Sequence, residues 1–309
     1  MPGTDWIITS GMIGAGSPCG RLFAVHRDDH SCSEISPYFL EFALDQARFG
    51  EQADLDPYNL APHGIDVITR ADGVLELYVV NHGGRESIEV FEILLHDRRP
   101  RLRWIGGVEF PGTAIGNDVA AVPGGGFVTT TTGHIDGSSP ASRAELLSKV
   151  DTGGVLEWSR VDGWKLLPGT QMSVANGVAL SKDGLWLYVT GTNSRNIKRV
   201  QRGPIDPEIH SVEIDILPDN LTWTASGQLL VAGTYGVDLL EFMAAHFGAN
   251  PNMFLPSRIL HIDPHSLEAF TAIEYTEPVY GAATVALEVG EQIWVGAARD
   301  QGIACFQPG

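Results

Sequence analysis

Long apolar runs and basic residues are scarce in this 309-residue chain, and each scarcity excludes a class of protein. No window approaches the roughly 18 to 20 uninterrupted apolar residues that cross a bilayer. Only 20 Lys and Arg stand against 38 Asp and Glu, and the net charge of −18 repels nucleic acid and anionic membranes. Charged residues make up 19% and hydrophobic residues 43%, which excludes a disordered chain and a coiled coil. We therefore expect a globular protein that binds neither nucleic acid nor membrane.

Cysteine is also rare. Cys19, Cys32 and Cys305 are widely spaced and fit neither a zinc motif nor a disulfide framework. One bridge at most can form, and buried free thiols are the simpler interpretation. The first residues, MPGTDWIITSGMIG, lack the basic region and the continuous apolar segment of a signal peptide. This predicts a cytoplasmic chain as given, and leaves secretion or a periplasmic location open if residues precede Met1.

Glycine and proline are abundant, with 36 and 18 residues, as is typical of a turn-rich globular protein. A turn containing Gly or Asp recurs, followed by four or five apolar or β-branched residues and then Gly, Thr or Asn. Copies of this pattern lie near Trp6, Leu77, Phe127, Leu187, Leu230 and Trp294. Six copies correspond to roughly 50 residues each, the size of one propeller blade. The repeat predicts an all-β protein, a six-bladed β-propeller with four-stranded blades around a central channel, and residues 1–309 as a single domain.

Two segments carry helix signals within this β pattern. Asp238 can cap the segment LLEFMAAHF, with Glu241 three residues later and Gly248 as the stop. Ser36-Pro37 can open a second helix over YFLEFALDQARF, ended by Gly50. We predict a helix in both places.

Short polar motifs stand at the starts and ends of the predicted strands. They are Pro-His-Gly at 62–64, Asn-His at 81–82, Asn117-Asp118, Asn176-Gly177 and Asp219-Asn220. Several Asn and Asp oxygens directed at one axis would form the hard-oxygen cage that calcium requires, with its six to eight ligands. The alternative is that each pair is ordinary turn chemistry, because Asn and Asp side chains bond their own backbone in turns. In that case His63 and His82 are hydrogen-bonded core histidines.

In their order and spacing these segments resemble the paraoxonase family of arylesterases and lactonases, within the gluconolactonase-like six-bladed β-propellers. The segments that carry the resemblance are IITSG, PHGIDVITRADGVLELYVVNH, GNDVAAVPGGGF, VANGVALSKDGLWLYVTG, LPDNLTWTASGQLLVAGT and YGAATVALEVGEQIWVGAARDQGIACF. They extend over nearly the whole chain. No single motif is specific, but the ordered set is.

The resemblance implies a role for each matching residue. A catalytic Ca²⁺ would be bound by Asn117, Asn176, Asp219 and Asn220. A second, structural Ca²⁺ would be bound by Asp118 and the backbone carbonyl of Ile65. His63 and His82 match the histidine pair assigned to water activation. Apart from the resemblance, we expect Val174, Tyr235 and Tyr280 to line the substrate pocket. The implied activity is calcium-dependent hydrolysis of small-molecule lactones or aryl esters, in which calcium polarises the carbonyl and a histidine accepts a proton from water.

The chain departs from the family pattern at its start. The family has a Glu that binds the catalytic calcium, followed by an Asp for the structural calcium, before the first apolar strand, and neither acid is present here. Either the chain starts late, or calcium binds more weakly, or the site has another role. The alternative functions are a non-hydrolytic propeller enzyme of the strictosidine-synthase-like or lyase type with a degraded metal site, and a non-catalytic binding scaffold. The natural substrate and the oligomeric state cannot be predicted from the sequence.

Overall fold

The computed structural model of the chain describes residues 1–12, 20–37, 40–96, 99–132, 144, 148, 150–246, 253–276, 280–298 and 302–307. The chain divides into two compact units. Unit 1 comprises Met1–Thr129 and Leu156–Lys165, and unit 2 comprises Thr130–Val155 and Leu166–Gly309. That residues 1–309 form a single domain stays a prediction.

The first half of the chain forms three sheets. The first sheet contains β1 (Trp6–Met12), β2 (Gly20–His26) and β3 (Cys32–Glu34). The second contains, in order across the sheet, β4 (Leu40–Phe42), β8 (Arg99–Glu109), β7 (Ser87–His96), β6 (Leu75–Asn81) and β5 (Pro62–Thr69). The third contains β9 (Gly116–Ala121), β10 (Phe127–Thr131), β11 (Gly154–Ser159) and β12 (Gly163–Leu166), and contributes residues to both units.

Unit 2 contains the three remaining sheets. The fourth has β13 (Ala175–Leu180), β14 (Trp186–Gly191), β15 (Asn196–Gln201) and β16 (Ile209–Glu213). The fifth has β17 (Leu217–Trp223), β18 (Leu229–Thr234), β19 (Ser257–Ile262) and β20 (Ala269–Tyr275). The sixth has β21 (Ala283–Val289), β22 (Gln292–Ala297) and β23 (Ala304–Phe306).

These six small sheets, which follow one another along the chain, are the blades of a six-bladed β-propeller, so the predicted fold class is confirmed. The prediction of four strands per blade is correct for the third, fourth and fifth sheets. The first and last sheets have three described strands. The second has five, because Leu40–Phe42 pairs in parallel with Leu102–Trp104 of β8. The pattern copy near Trp6 lies on the first strand of its sheet, whereas the other five copies lie on second strands.

The helix predictions had different outcomes. Helix α2 (Leu239–His246) forms as expected, and its first turn has the predicted capping box. The Glu241 amide donates to the Asp238 carboxylate at 2.8 Å, and the Asp238 amide donates to the Glu241 carboxylate at 2.9 Å. Gly248, the predicted stop, lies outside the described residues.

The second predicted helix is wrong over most of its described residues. Among residues 40–49 only α1 (Gln46–Phe49) is helical, and a short 3₁₀ turn follows at Pro57–Asn59. Asp45 caps α1 by accepting a hydrogen bond from the amide of Arg48, so the helix begins at Gln46, ten residues after Ser36. Pairing with β8 draws Leu40–Phe42 into a strand instead. Tertiary contacts here override local helix propensity.

Each unit places the first strands of its sheets side by side. In unit 1, β5 packs against β1 and β9, and in unit 2, β17 packs against β13 and β21. The cores lie between successive sheets. Leu22, Leu77, Phe91 and Trp104 are fully buried in unit 1, and Ile197, Leu229, Val231 and Ile262 are fully buried in unit 2. Burial of one such side chain stabilises the fold by roughly 1.5–3 kcal/mol.

The described part of the chain contains two of the three cysteines. Cys32 and Cys305 are free thiols. The expectation of buried thiols was wrong for Cys32, which is exposed because it lies on the short edge strand β3. Cys19 lies outside the described residues. Among the helices that the structure describes, none is long and apolar enough to cross a membrane.

Candidate active site

The predicted site residues of β5, β13 and β17 lie in β-bulges. In β5 the register shifts between Pro62 and Ile65, so His63 and Gly64 form the bulge. The same shift occurs between Ala175 and Val178 in β13, and between Pro218 and Leu221 in β17. A bulge inserts one extra residue and turns a side chain away from its regular face. Each bulge therefore changes the direction of the polar side chains that the sequence motifs contain.

Two glycines allow neighbouring first strands to approach at these bulges. A Cβ on Gly64 would lie 2.5 Å from both the carbonyl oxygen of Asn117 and the Cα of Asp118. A Cβ on Gly177 would lie 2.7 Å from the carbonyl oxygen of Asp219 and the Cα of Asn220. Both distances are shorter than a side chain tolerates. The glycines of Pro-His-Gly and Asn-Gly are thus required for packing, not only for a turn.

In unit 1, three titratable side chains form a hydrogen-bonded series. Nδ1 of His63 lies 3.0 Å from Nε2 of His82, and Nδ1 of His82 lies 2.9 and 3.0 Å from the two carboxylate oxygens of Glu86. The side chains of His82 and Glu86 are 22% and 37% exposed, so the series is partly accessible to solvent. A carboxylate, two imidazoles and hydrogen-bond distances throughout are the requirements for moving a proton.

The loop between β6 and β7 holds His82 and Glu86 in place. Asn81, which is fully buried, accepts hydrogen bonds from the amides of Ala61 and Gly83 and donates to the carbonyl of Arg85. A Cβ on Gly83 would lie 1.6 Å from the carbonyl oxygen of Asn59, so only glycine fits there. Asn81 therefore stabilises the conformation of this loop, and its side-chain amide is fully engaged in these hydrogen bonds.

A buried ion pair anchors the far end of the same loop. Arg85 pairs with Glu89 at 2.8 Å, and Glu89 also accepts hydrogen bonds from the Ser87 hydroxyl at 2.7 Å and the Trp104 indole N–H at 2.8 Å. Glu89 is fully buried. Since Glu86 lies between Arg85 and Ser87, its backbone is fixed on both sides.

In unit 2, two asparagines present amide oxygens without a hydrogen-bond partner. The amide nitrogen of Asn220 donates to Oδ1 of Asp219 at 3.0 Å and to the carbonyl of Thr284 at 3.1 Å. The amide nitrogen of Asn176 donates to Oγ1 of Thr192 at 3.0 Å, and the side chain of Asn176 also hydrogen-bonds the carboxylate of Asp219. Oδ1 of both asparagines is buried and accepts no hydrogen bond within the described part of the chain. Buried polar atoms are rarely left unsatisfied, so each oxygen is expected to contact a water molecule or a bound cation.

Asp219 lies between these two amides. Burial raises the pKa of its carboxyl group to about 7, against the opposing effect of hydrogen bonds from the Asn176 side chain and the Asn220 backbone amide. One carboxylate and two amide oxygens are the donor types that calcium prefers. The donors in unit 2 therefore fit a calcium ion.

The remaining predicted ligands belong to unit 1. Oδ1 of Asn117 is also buried, and among the described residues nothing donates to it. Asp118 is buried, and its Oδ1 lies close to Gly64, 2.7 Å from the position that a Cβ on this glycine would take. Gly64 directly precedes Ile65 in the chain. Asn117 thus has the same unsatisfied oxygen as the asparagines of unit 2.

The three predicted pocket residues have different surroundings. Val174 adopts φ = 56°, which is strained for a β-branched residue, and packs against Met243 of α2. The ring of Tyr235 lies 4.1 Å from the guanidinium carbon of Arg258, an outer-strand residue. The Tyr280 hydroxyl donates to the carbonyl of Val295 at 2.6 Å, beside a small apolar cavity. Of the three, only Val174 directly precedes in the chain a strand that carries predicted ligands, β13.

A further acidic and histidine group lies in unit 1 outside this set. Ligand atoms of Asp5, His26 and Asp28 come within 4.8 Å of one another. Arg27 binds both carboxylates, at 2.8 Å and 3.0 Å, so each is already paired with a cation. This group is better described as a surface ion-pair cluster.

Sequence reasoning missed Glu86, Thr192 and Thr284. Glu86 lies four residues after His82 in a loop, where spacing alone gives no direction. Thr192 and Thr284 act through a hydroxyl and a carbonyl that only the paired strands bring near Asn176 and Asn220. The signal that could have identified Glu86 is an acidic side chain four residues after the histidine of the Asn-His motif.

Solved structures share the fold. A luciferin-regenerating enzyme matches with a TM-score of 0.55 at 14% identity, over 96% of this chain and 80% of that one. A protein described as a "putative 6-phosphogluconolactonase" from Bacteroides uniformis matches with a TM-score of 0.52 at 13% identity, over 98% and 92%. A "putative gluconolactonase" matches with a TM-score of 0.52 at 13% identity, over 96% and 87%. At these identities the likeness concerns the fold alone.

The family comparison is more specific. No curated protein matches the chain. Residues 43–305, most of the sequence, match the model of the arylesterase family, which confirms the resemblance to the arylesterase and lactonase family and supports ester or lactone hydrolysis at the level of the family. The chain belongs to the arylesterase family.

Proposed function

We propose that this protein is a calcium-dependent hydrolase of small-molecule lactones or aryl esters. The observation that carries the proposal is the hydrogen-bonded series His63, His82 and Glu86, which suits a general base that activates water. Family membership supports the reaction class. The unsatisfied amide oxygens support the metal.

The direction of the hydrogen bonds in the series follows from Glu86. An ionised carboxylate only accepts, so Nδ1 of His82 carries the proton of that bond. Nε2 of His82 then accepts from Nδ1–H of His63, and this tautomer places the lone pair of His63 on Nε2. In the proposed mechanism Nε2 of His63 removes a proton from the attacking water, and the negative charge of Glu86, transmitted through His82, stabilises the single imidazolium that results at His63.

Asn176, Asp219 and Asn220 are the proposed calcium ligands in unit 2. Asn117, in unit 1, stays a predicted calcium ligand, and Asp118 with the carbonyl of Ile65 is the proposed structural calcium site. When bound, calcium supplies a Lewis acid that polarises the ester carbonyl and stabilises an oxyanion. The protein's own contribution is to hold these oxygens by hydrogen bonds before the metal arrives.

Val174 is the pocket residue that the surroundings support best, because it lies two residues before Asn176 and packs against α2. Tyr235 and Tyr280 stay predictions as pocket residues. A pocket with an apolar wall beside a carbonyl-binding cation suits an uncharged lactone or ester.

Hydrolysis assays with a γ-lactone and phenyl acetate test the proposal. Purified protein is assayed as isolated, after chelator treatment, and after re-addition of calcium or magnesium. We expect hydrolysis to be lost on chelation and restored by calcium only, together with a rise in melting temperature as calcium increases, because a ligand bound by the folded state alone stabilises it.

The alternative is a metal-free, non-hydrolytic propeller enzyme. That alternative would be favoured if the protein does not hydrolyse these substrates and its melting temperature does not change from micromolar to millimolar calcium. Hydrolysis that persists fully in chelator would contradict the calcium dependence and leave the assignment as a hydrolase intact.

A further inference from the structure

Thr192, just after β14, makes two hydrogen bonds whose directions are both determined. Its hydroxyl lies 2.7 Å from the carbonyl oxygen of Pro218, and that oxygen can only accept. The hydroxyl proton is therefore committed to Pro218. Oγ1 also lies 3.0 Å from the terminal nitrogen of Asn176, which donates to it. Thr192 is buried, so water does not compete strongly for either bond.

This arrangement decides which end of the Asn176 amide faces Thr192. With the hydroxyl proton occupied, Oγ1 offers only lone pairs, and an amide oxygen placed there would be repelled. The amide nitrogen must face Thr192, so Oδ1 points the other way, and it is this oxygen that is buried without a hydrogen bond among the described residues. The hydrogen bond between Asn176 and Asp219 favours the same orientation.

Asn220 also has its amide nitrogen hydrogen-bonded and its Oδ1 without a donor among the described residues, but through other partners. Its amide nitrogen is held by Oδ1 of Asp219 and by the backbone carbonyl of Thr284, both acceptors. No side-chain substitution removes the carbonyl of Thr284. Thr192 is therefore the member of this arrangement whose hydroxyl can be deleted without altering a proposed ligand.

We propose that Thr192 is a positioning residue that orients the Asn176 amide so that Oδ1 is presented to a bound cation. The inference rests on the proposed calcium site in unit 2 and adds to it a residue that touches no metal. Thr192 acts through Asn176, and its hydrogen bond to Pro218 also ties Asn176 to the strand that carries Asp219.

The Thr192→Val variant removes the hydroxyl and keeps the shape of the side chain. Calcium affinity is measured by titration calorimetry on the full chain, with melting in chelator as a separate measure of folding. We expect the Val variant to bind calcium about 10- to 100-fold more weakly than the wild type, the usual cost of losing a residue that orients a metal ligand. Thr192→Ser keeps the hydroxyl and should restore most of the affinity.

Thr222→Val is the matched control. The Thr222 hydroxyl donates to the carbonyl of Ala286 at 2.5 Å and bonds none of the proposed ligand side chains. Its loss should lower the melting temperature without changing calcium affinity. If the Thr192→Val protein does not fold, Thr192→Ala carries the same comparison, since it lacks the hydroxyl and adds no bulk.

A double-mutant cycle separates orientation from general loosening. In Asn176→Asp both terminal atoms are oxygens, so the orientation of the group no longer matters. Addition of Thr192→Val to that variant should then cost little further affinity. Equal calcium affinity of the wild type and Thr192→Val would overturn the inference and leave the proposed function intact, whereas a wild type that binds no calcium would overturn both.

Discussion

Glu86 accepts a hydrogen bond from Nδ1 of His82 at 2.9 Å, and Nε2 of His82 lies 3.0 Å from Nδ1 of His63. The carboxylate is four residues from His82 and is held by a loop whose ends are fixed by Asn81 and by the Arg85–Glu89 pair. This relationship extends the predicted histidine pair to three residues. It also determines which nitrogen of each ring carries a proton.

Glu86→Gln is expected to lower kcat by about one to two orders of magnitude with little change in KM. The loss is smaller than the ~10⁴-fold effect of the orienting carboxylate in a serine hydrolase, since Glu86 acts through two imidazoles. Nitrogen-15 NMR of the histidine rings should show a changed tautomer population at His82. Glu208→Gln is the control, because Glu208 pairs with the exposed His210 at 2.6 Å. Unchanged kcat and unchanged ring signals would remove Glu86 from the mechanism.

His63→Gln should lower turnover by about 10² to 10⁴, the usual contribution of a general base, while melting temperature and calcium content stay close to wild type. His82→Gln should cost less, because His82 acts only through His63. The measurements are kcat on a γ-lactone and metal analysis of the same preparation. Wild-type rates in both variants would show that the pair is structural.

Asp219→Ala should abolish calcium binding and hydrolysis together. Asp219 is the only carboxylate among the proposed ligands of unit 2, and without it Asn176 and Asn220 offer neutral oxygens to a dication. Metal analysis and the lactone assay on one preparation check this expectation. Asp215→Ala removes an exposed carboxylate from the same unit and should change neither. A mutant that retains stoichiometric calcium would exclude Asp219 from the site.

Glu76 should make stability fall in acid. Burial alone would raise its pKa, but the hydrogen bonds and charges of Arg48 and Arg70 outweigh burial and lower the pKa below the ordinary value of 4.5. The folded state therefore favours the ionised form. The stabilisation is complete above that ordinary value and is lost as pH falls through the lower folded-state pKa.

The matching variant is Glu76→Gln, which weakens a bidentate pair with Arg48 at 2.6 and 3.0 Å. We expect it to lower the free energy of unfolding by about 2 kcal/mol at pH 7. The difference from wild type should shrink below pH 4, where Glu76 itself becomes protonated. Glu213→Gln, at an exposed position, is the control. A difference that stays constant from pH 7 to pH 3 would contradict the assignment.

The fold class could be predicted because it depends on periodic signals. Each of six segments repeats a turn followed by apolar residues, and a strand of that kind must bury its face against another sheet. Asp238 and Glu241 likewise signal the start of α2 through contacts within one helical turn. The segment from Ser36 to Gly50 failed because its outcome depends on β8, which lies some sixty residues later.

For the candidate site, residue types and order were enough to identify His63, His82, Asn176, Asp219 and Asn220 as a set worth testing. The sequence could not show that three of the motifs lie in bulges, since a register shift is a property of two paired strands. Gly64 and Gly177 appear as turn residues in the sequence, and only strand packing shows that a Cβ would collide there.

The orientation of the polar groups was decided entirely by tertiary structure. An asparagine amide has two ends of nearly equal shape, and the donor or acceptor that faces it selects one of them. For Asn176 that neighbour is Thr192, sixteen residues away, and for Asn220 it is Thr284, sixty-four residues away. The amino-acid order therefore specifies which chemical groups the site contains, whereas strand pairing sets the direction in which each presents its oxygen or its proton.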